Sequence, residues 1–331
     1  MDSNPAQTIL DALSSTRRVL VTTHVKPDGD ALGSVAAMVL AMKQRGIEPA
    51  ILLFSRVPAK YGFIFSDGNV PIFEAEKNWP AELSLDNYDA LLVLDTGTWS
   101  QLPGLRERIE NWPKPKLIVD HHRTQEGWAT ARWVDTEAAA AGEMVADLVE
   151  RWGLKLAGQI AEAVFLAIAT DTGWFQFSNT RPRTLRLAAR LLEAGVDSQR
   201  LYQVAYQNER PARLALQARL LESLELHADN RLAVMTLSKD DFQKTGADSS
   251  DTENLINIPL QVGVVEASIL LAQGAGDEII RVSLRSKGGV DVAKFAEKFG
   301  GGGHARAAGF KLQGSLPQQR ERIIAAFLEN L

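Results

Sequence analysis

Short apolar runs alternate with longer amphipathic segments through the first half of the chain. The short runs, rich in Val, Leu and Ile, predict buried strands over 19–23, 50–54, 88–94 and 116–119. The longer segments, rich in Ala and Leu, predict helices over 31–45, 138–152 and 156–170. Short strands that alternate with helices are typical of a parallel α/β sheet with right-handed crossovers.

The second half of the chain has a different pattern. A continuous helical pattern predicts helices over 184–193, 198–207 and 211–225. Beyond it, strand-like runs at 231–237, 267–271 and 278–284 precede a short helix and a terminal helix, at 291–299 and 318–329. We therefore predict a parallel-sheet domain over 1–183, a helical linker over 184–225 and a smaller α+β domain over 226–331.

Composition narrows the class of protein. At 331 residues the chain exceeds the ~250–300 residues at which single cores stop growing, so two domains are expected. The absence of cysteine excludes disulfides, thiolate zinc sites, iron–sulfur clusters and cysteine nucleophiles. A net charge of −5 argues against a long basic track for duplex DNA or long RNA. The N-terminus lacks a signal-peptide pattern, and no apolar stretch nears the ~20 residues that span a bilayer, which predicts a cytoplasmic protein.

Acidic residues and histidines follow the ends of these predicted strands and of the segment 156–170. They are His24, Asp28, Asp30, Asp95, Asp120, His121, His122 and Asp171. Because the carboxyl ends of parallel strands share one edge of a sheet, we expect these side chains to converge. Carboxylates alone would repel one another, and some would take up protons unless cations neutralised them. Neutral imidazoles among them are ready metal ligands, so the simplest interpretation is a two-metal hydrolytic site.

Several of these residues also have a purely structural interpretation. Asp30 is suited to cap the following helix, Asp95 suits a turn or a cap, and Asp171 suits a loop that ends a helix. Residues 178–180 read as a turn, and His227 reads as a structural or surface histidine because it lacks comparable acidic partners. Two aromatic residues soon after Asp171 are expected to line a pocket, namely Trp174 and Phe175.

A glycine-rich segment in the second domain ends at a histidine. Gly300 is expected to cap the helix over 291–299, but four successive glycines, 300–303, exceed what a cap needs. Their backbone N–H groups would approach an anion closely, as a nest does, and His304 would add a donor. Further positive side chains lie nearby in the sequence, at Arg281, Arg285 and Lys287. The pattern favours phosphate or nucleotide binding over a plain turn.

Together these motifs resemble the DHH phosphoesterase superfamily with its DHH-associated C-terminal domain. The motifs that carry the resemblance are residues 24–34, 94–97, 119–122, 169–173 and 300–304. Their order and rough spacing are similar to the family over nearly the whole chain. The resemblance is strongest to the bacterial oligoribonucleases (nanoRNases) that also act as adenosine 3′,5′-bisphosphate phosphatases. Lys26 stands where asparagine is frequent in that family.

The resemblance implies a fold and a metal site. The implied fold is a parallel-sheet DHH domain, joined by helices to a smaller α+β domain, with the active site in the cleft between them. Two divalent ions are implied, with Mn²⁺ preferred and Mg²⁺ or Co²⁺ as alternatives. One ion would be held by His24, Asp28 and Asp95. The second would be held by Asp30, Asp95, His121 and Asp171, so that Asp95 bridges the two.

The resemblance also implies roles beyond metal binding. His122 would protonate the leaving oxygen or stabilise phosphoryl charge, and Asp120 would orient an imidazole. The residues implied to bind the terminal nucleotide and its phosphate are Arg285, Gly301, Gly302, Gly303 and His304.

The implied substrates are dinucleotides to about five-mers of RNA, cleaved to nucleoside 5′-monophosphates, and adenosine 3′,5′-bisphosphate, cleaved to AMP and phosphate. The alternatives are a phosphodiesterase specific for linear or cyclic dinucleotides and a manganese pyrophosphatase. A nucleotide-binding module without turnover is disfavoured, because every expected ligand residue is present. The helical stretch 184–225 offers a surface for a homodimer.

Overall fold

The computed structural model describes residues 4–65, 70–274 and 278–331 and divides the chain into two compact units, Met1–Asn208 and Glu209–Leu331. The helices predicted between the domains fall on both sides of this division. Those predicted at 184–193 and 198–207 belong to the first unit, and the one at 211–225 belongs to the second. The domain boundaries predicted at residues 183 and 225 stay predictions.

The first unit is built on a six-stranded sheet in which all neighbouring strands are parallel, in the order β3-β2-β1-β4-β5-β6. The strands are β1 (Arg18–Thr22), β2 (Glu48–Leu53), β3 (Ile72–Glu74), β4 (Ala90–Leu94), β5 (Lys116–Asp120) and β6 (Ala131–Val134). The predicted parallel sheet is confirmed. The two edge strands, β3 and β6, escaped prediction because they are short and half-exposed, so their sequences lack an apolar run.

Helices cover both faces of this sheet. They are α1 (Pro5–Ser14), α2 (Gly29–Gln44), α3 (Arg106–Ile109), α4 (Ala141–Arg151), α5 (Gly158–Asp171), α6 (Pro182–Glu193) and α7 (Ser198–Tyr206). Alternate residues of β1 show the two layers, because Val19 packs with α1, α2, α4 and α5 while Leu20 packs with α3 and its flanking loops. Gly33 lets α2 approach α5, since a Cβ there would lie 2.5 Å from the Ala163 carbonyl oxygen.

The second unit contains a six-stranded mixed sheet in the order β11-β12-β10-β9-β8-β7. Its elements are α8 (Pro211–Glu222), β7 (Glu225–His227), β8 (Leu232–Leu237), α9 (Lys239–Thr245), β9 (Ala267–Gln273), β10 (Ile279–Ser286), α10 (Val292–Glu297), β11 (Gly302–His304), β12 (Ala307–Gln313) and α11 (Leu316–Leu328). Only β8 and β9 pair in parallel. The predicted α+β character is confirmed, although β7, β11, β12 and α9 were not predicted.

Four carboxylates are buried inside the first unit, although burial of an unpaired charge is costly. Asp30, Asp95, Asp120 and Glu143 keep between 0% and 3% of their surface exposed. They lie at or near the carboxyl ends of the strands, where the sequence motifs were expected to meet. Within the described ranges, no helix has the length and apolar character needed to cross a bilayer.

Candidate metal centre

The loop after β1 places two carboxylates at the start of α2. Asp28 is the N-cap of this helix, and its Oδ1 accepts the N–H of Ala31 at 3.0 Å. The capping role considered for Asp30 therefore belongs to Asp28, because the helix begins two residues earlier than expected. Asp30 is buried, and its two oxygens accept the N–H groups of Ala141 and Gly142 at 2.7 and 2.8 Å. The N-terminus of α4 thus fixes the Asp30 carboxylate and favours its negative charge.

Asp95 directly follows β4 and lies at the centre of the site. Its backbone has φ +63°, a left-handed conformation that aspartate tolerates better than most residues. Its Oδ2 lies 3.4 Å from His24 Nε2, and its Oδ1 lies 3.3 Å from His121 Nε2. Oδ1 is buried and has no hydrogen-bond partner among the described residues. A buried carboxylate oxygen that lacks a hydrogen-bond partner and lies close to two imidazoles fits the role of a metal ligand.

Backbone carbonyls set the tautomers of two histidines. His24 Nδ1 donates to the Val25 carbonyl at 2.9 Å, and His121 Nδ1 lies 3.3 Å from the Ala138 carbonyl. Because a carbonyl only accepts, each neutral ring carries its proton on Nδ1 and its lone pair on Nε2. Both Nε2 atoms face Asp95. Orientation of one ring nitrogen by a carbonyl is the usual support of a metal-ligating histidine.

The end of α5 supplies the last carboxylate. Asp171 Oδ2 lies 3.9 Å from His121 Nε2, which is also 3.7 Å from Asp30 Oδ2. Asn179 Nδ2 contacts the Asp171 carboxylate at 3.3 Å and the carbonyls of Asp171 and Ala139 at 3.1 and 3.0 Å. The segment 178–180, which the sequence marks only as a turn, therefore also positions a site carboxylate.

The donor atoms form groups that fit divalent cations. Within each group all ligand atoms lie within 4.8 Å of one another, and the groups are His24, Asp28 and Asp95; Asp30, His121 and Asp171; and Asp95, His121 and His122. Carboxylate and imidazole donors suit Mn²⁺, Mg²⁺, Co²⁺ and similar ions, and thiolate is absent. The buried unpartnered oxygen of Asp95 and the carbonyl-bound histidines support the same conclusion.

The His122 ring is hydrogen-bonded to a carboxylate, whereas the His121 ring contacts a backbone carbonyl. Its Nδ1 donates to Asp120 Oδ1 at 2.8 Å, and the backbone N–H of His122 donates to the same oxygen at 3.1 Å. Asp120 is fully buried and its other oxygen accepts from Gln125 Nε2. The His122 side chain remains 56% exposed, which leaves its Nε2 free to meet a substrate. The Asp120 hydrogen bond, opposed by partial desolvation, raises the pKa of His122 above its usual value.

Burial and mutual repulsion raise the pKa values of two carboxylates in the cluster. Burial and the negative charges of Asp95 and Asp171 raise the pKa of Asp30 well above its usual range. Burial also raises the pKa of Asp171 to about 6, with the charge of Asp95 adding to the rise and the charge of His121 opposing it. Raised pKa values of this kind are expected where carboxylates converge on a site suited to a cation.

The imidazoles take up protons for the opposite reason. Burial lowers the pKa of His24, but attraction from Asp28 and Asp95 more than offsets this effect and raises it to about 11. Burial likewise opposes protonation of His121, and the carboxylates around it raise its pKa to about 10. At neutral pH both rings of the metal-free protein are imidazolium, whereas a metal ligand must be a neutral imidazole.

Metal binding is therefore expected to release protons. Because His24 and His121 are protonated up to pKa values of about 11 and about 10, a cation that binds at pH 8 must displace roughly one proton from each ring. Apparent affinity should fall as pH falls from 8 to 6. Titration calorimetry with Mn²⁺ in buffers of different ionisation enthalpy measures the release. Identical heats in Tris and HEPES buffers would contradict it.

A buried glutamate holds the backbone segment that positions several residues of this site. Glu143 Oε2 accepts the N–H of Ala139 at 2.8 Å, and Glu143 Oε1 accepts from Arg183 Nε at 2.9 Å and Thr184 Oγ1 at 3.3 Å. The segment 138–142 that it holds is the one whose backbone binds His121, Asn179 and Asp30. Glu143 was not predicted, because alone it resembles an ordinary first-turn acid of a helix.

Replacing Glu143 by glutamine is expected to weaken Mn²⁺ binding by about tenfold without unfolding the protein. Glutamine offers one acceptor oxygen where three donors converge, so its amide group would face a donor. Free Mn²⁺ measured by electron paramagnetic resonance gives the affinity. Glu150→Gln is the matched control, because Glu150 lies on the same helix and makes a more exposed pair with Arg190. Equal Mn²⁺ affinity in the two variants would show that Glu143 does not support the metal site.

The predicted substrate-binding residues lie in the second unit. The helix α10 ends at Glu297, two residues before the predicted end, and Gly300 lies in the turn that follows it, at φ +73°. Gly302–His304 forms the exposed edge strand β11, whose backbone pairs with β12. The predicted binding of an anion by these glycines stays a prediction. His304 and Arg285 both pair with Ala307, from opposite sides of β12. Since directly paired residues point to the same face of a sheet, these two basic side chains flank one small alanine.

Family models match both halves of the chain. Residues 18–168 match the N-terminal domain of the DHH family, and residues 229–331 match the DHHA1 domain. The first match contains all the clustered acidic and histidine residues except Asp171. The second contains the glycine-rich segment and Arg285. The family expected from the motifs is therefore confirmed.

Relatives match over most of their length. The bifunctional oligoribonuclease and PAP phosphatase NrnA of Thermus thermophilus is 33% identical, over 95% of this chain and 90% of that protein. The protein of the same name from Bacillus subtilis is 27% identical, over 96% of each.

Solved structures share the fold. An exopolyphosphatase-related protein from Bacteroides fragilis superposes with a TM-score of 0.87 at 22% identity, covering 98% of this chain and 95% of that one. RecJ of Thermus thermophilus in complex with Mn²⁺ gives a TM-score of 0.55 at 15% identity, covering 97% of this chain and 53% of RecJ. With both family models matched in order along one chain, the protein belongs to the DHH family and carries a DHHA1 domain after its DHH domain.

Proposed function

We propose that the protein is a metal-dependent phosphoesterase that hydrolyses short oligoribonucleotides to nucleoside 5′-monophosphates and adenosine 3′,5′-bisphosphate to AMP and phosphate. The observation that carries the proposal is the buried cluster around Asp95, in which carboxylates and oriented imidazoles meet. The 33% identity to a bifunctional oligoribonuclease and PAP phosphatase supports the choice of substrates.

The proposed metal ligands fall into two sets that share Asp95. His24, Asp28 and Asp95 would hold one divalent ion. The second set would be Asp30, Asp95, His121 and Asp171. Mn²⁺ is the proposed ion, and when bound the pair supplies Lewis acidity toward phosphoryl oxygens and lowers the pKa of a coordinated water.

The protein's own groups would complete the chemistry. Four ligand carboxylates balance the charge of two dications, so a bound phosphate still needs positive partners. His122 is the proposed proton donor to the leaving oxygen, because its Nε2 is exposed while Asp120 holds its Nδ1. Asp120 positions the ring and does not touch substrate in this account. Asp95 contributes as a shared ligand.

Substrate binding by the second unit is part of the proposal. Arg285 and His304, one on each side of Ala307, would contact the terminal phosphate. The exposed Gly302 and Gly303, together with the half-buried Gly301 before them, would allow close approach of a nucleotide to the edge of β11. A site of this kind favours short substrates, because the net charge of −5 leaves no basis for a long basic track.

Turnover of four substrates in parallel tests the proposal. The substrates are a 5′-labelled RNA dinucleotide, an RNA 24-mer, adenosine 3′,5′-bisphosphate and pyrophosphate, each with Mn²⁺. Rapid cleavage of the dinucleotide, slow cleavage of the 24-mer and release of phosphate from the bisphosphate are expected. Turnover of pyrophosphate alone would retain the metal centre and overturn the proposed substrates. Cleavage of the dinucleotide without the bisphosphate would favour a dinucleotide-specific phosphodiesterase.

A further inference from the structure

Three aromatic side chains pack together in the first unit, and we name them the aromatic platform: Trp174, Tyr202 and Tyr206. The Trp174 ring packs edge-on against both tyrosines, at centroid distances of 5.1 and 5.5 Å. The two tyrosines stack at 5.2 Å with an interplanar angle of 26°. They lie four residues apart on α7, so both project from the same face of that helix.

The platform packs against the core through Trp174 and is partly exposed through its two tyrosines. Trp174 packs edge-on against the buried Phe165 at 6.0 Å. Tyr202 and Tyr206 nevertheless keep 38% and 43% of their surface exposed. Aromatic rings that served only as core would be buried. Partly exposed aromatic rings that are held in place by such packing are suited to stack on a flat ligand.

The loop that carries Trp174 is strained. Trp174 and Phe175 have φ +58° and +67°, a region in which bulky side chains are outliers. The buried Thr172 holds the loop, since its hydroxyl accepts the N–H of Phe175 at 3.1 Å and its carbonyl accepts the N–H of Phe177 at 2.9 Å. Strain of this kind persists where the surroundings determine it, and it concentrates at functional sites.

The platform is close to the metal ligands. Trp174 comes three residues after Asp171, whose side chain faces His121. The backbone N–H of Trp174 donates to the Ala169 carbonyl at 2.6 Å, so the chain turns back tightly after Asp171. Three Cα–Cα steps keep the Cα atoms of Asp171 and Trp174 within about 11 Å of each other. A nucleoside attached to a phosphate at Asp171 would extend over a distance of this order.

We propose that the aromatic platform stacks against the nucleobase of the nucleotide whose phosphate is cleaved, and so makes the site select nucleotides over phosphate esters that lack a base. The inference rests on the proposed function. Stacking uses the π-face that every base has, so the platform would not discriminate strongly among the four bases. The platform would contribute to the affinity and orientation of the substrate, and the residues around Asp95 would carry out the hydrolysis.

The test compares Tyr206→Leu with Tyr206→Phe in the Mn²⁺-loaded, full-length protein. Leucine keeps apolar contact with Trp174 and removes the ring, whereas phenylalanine keeps the ring and removes the hydroxyl. For an adenosine dinucleotide, Tyr206→Leu should raise KM about tenfold with kcat within about twofold of the unaltered protein, and Tyr206→Phe should leave both near their original values. For the same dinucleotide with the base of the cleaved nucleotide replaced by hydrogen, neither variant should change KM.

A fluorescence measurement separates stacking from a structural effect. A dinucleotide carrying 2-aminopurine at that position, mixed by stopped flow before turnover, should be quenched by the unaltered protein and by Tyr206→Phe, and not by Tyr206→Leu. Unchanged KM and full quenching in Tyr206→Leu would overturn the inference. An equal rise in KM for the base-free substrate would also overturn it. Failure of the unaltered protein to cleave any dinucleotide would instead refute the proposed function.

Discussion

Replacing Asp95 by asparagine is expected to lower kcat for an RNA dinucleotide by about 10³-fold at saturating Mn²⁺. Asp95 lies 3.4 Å from the Nε2 atom of His24 and 3.3 Å from that of His121, so it faces both proposed ligand sets. Asparagine keeps the size of the side chain and also tolerates the left-handed backbone at φ +63°. The variant should therefore fold, and the loss should come from the missing negative charge.

The matched control for this variant is Asp86→Asn. Asp86 is exposed and lies before the other end of the same strand, β4, so this change alters the charge equally without reaching the cluster. Steady-state kinetics, with circular dichroism to verify folding, compares the two variants. If the Asp95 variant retained kcat within about threefold of the control, its role as a shared ligand would be wrong.

Replacing His122 by glutamine is expected to lower kcat by about 10²-fold while Mn²⁺ still binds. Its ring is held by Asp120 and is more exposed than the rings of His24 and His121, which face Asp95 through Nε2. The loss should be smaller with a substrate whose leaving group needs no proton, such as a p-nitrophenyl ester. An equal loss with both substrates would contradict the proton-donor role.

The pH profile gives an independent test of the same residue. The Asp120 hydrogen bond raises the pKa of His122, and the protonated ring is the active form of a proton donor. Activity should therefore be present below that raised pKa and be lost as pH rises through it. In Asp120→Asn the pKa of His122 should fall, so the alkaline limb should move to lower pH. His227→Gln, outside the cluster, should leave the profile unchanged.

The sequence was sufficient to predict which site residues lie close together, because their proximity follows from the topology of the sheet. His24, Asp95 and His121 each follow a strand of one parallel sheet, and the ends of parallel strands share an edge. Apolar runs revealed those strands because they are buried on both faces. The same signal was absent from the edge strands β3 and β6, which are partly exposed.

The contacts that position the site residues could not be predicted from the sequence. Alanine-rich residues 138–140 have high helix propensity, and the predicted helix began there, but the structure keeps Ala140 extended and begins α4 at Ala141. The extended backbone frees its carbonyls for His121 and Asn179, and tertiary contacts of this kind override local preference. Lys26 is a further case, since its backbone has φ +54°, a region that asparagine adopts more readily than lysine.

We propose that the cluster around Asp95 holds two divalent ions and uses them for hydrolysis. Titration of chelator-treated protein with Mn²⁺, in which bound metal and dinucleotide turnover are measured on the same samples, tests this directly. We expect no turnover without metal and a maximum as about two ions per chain become bound. Full turnover in the metal-free protein, or a maximum reached with one bound ion, would contradict it.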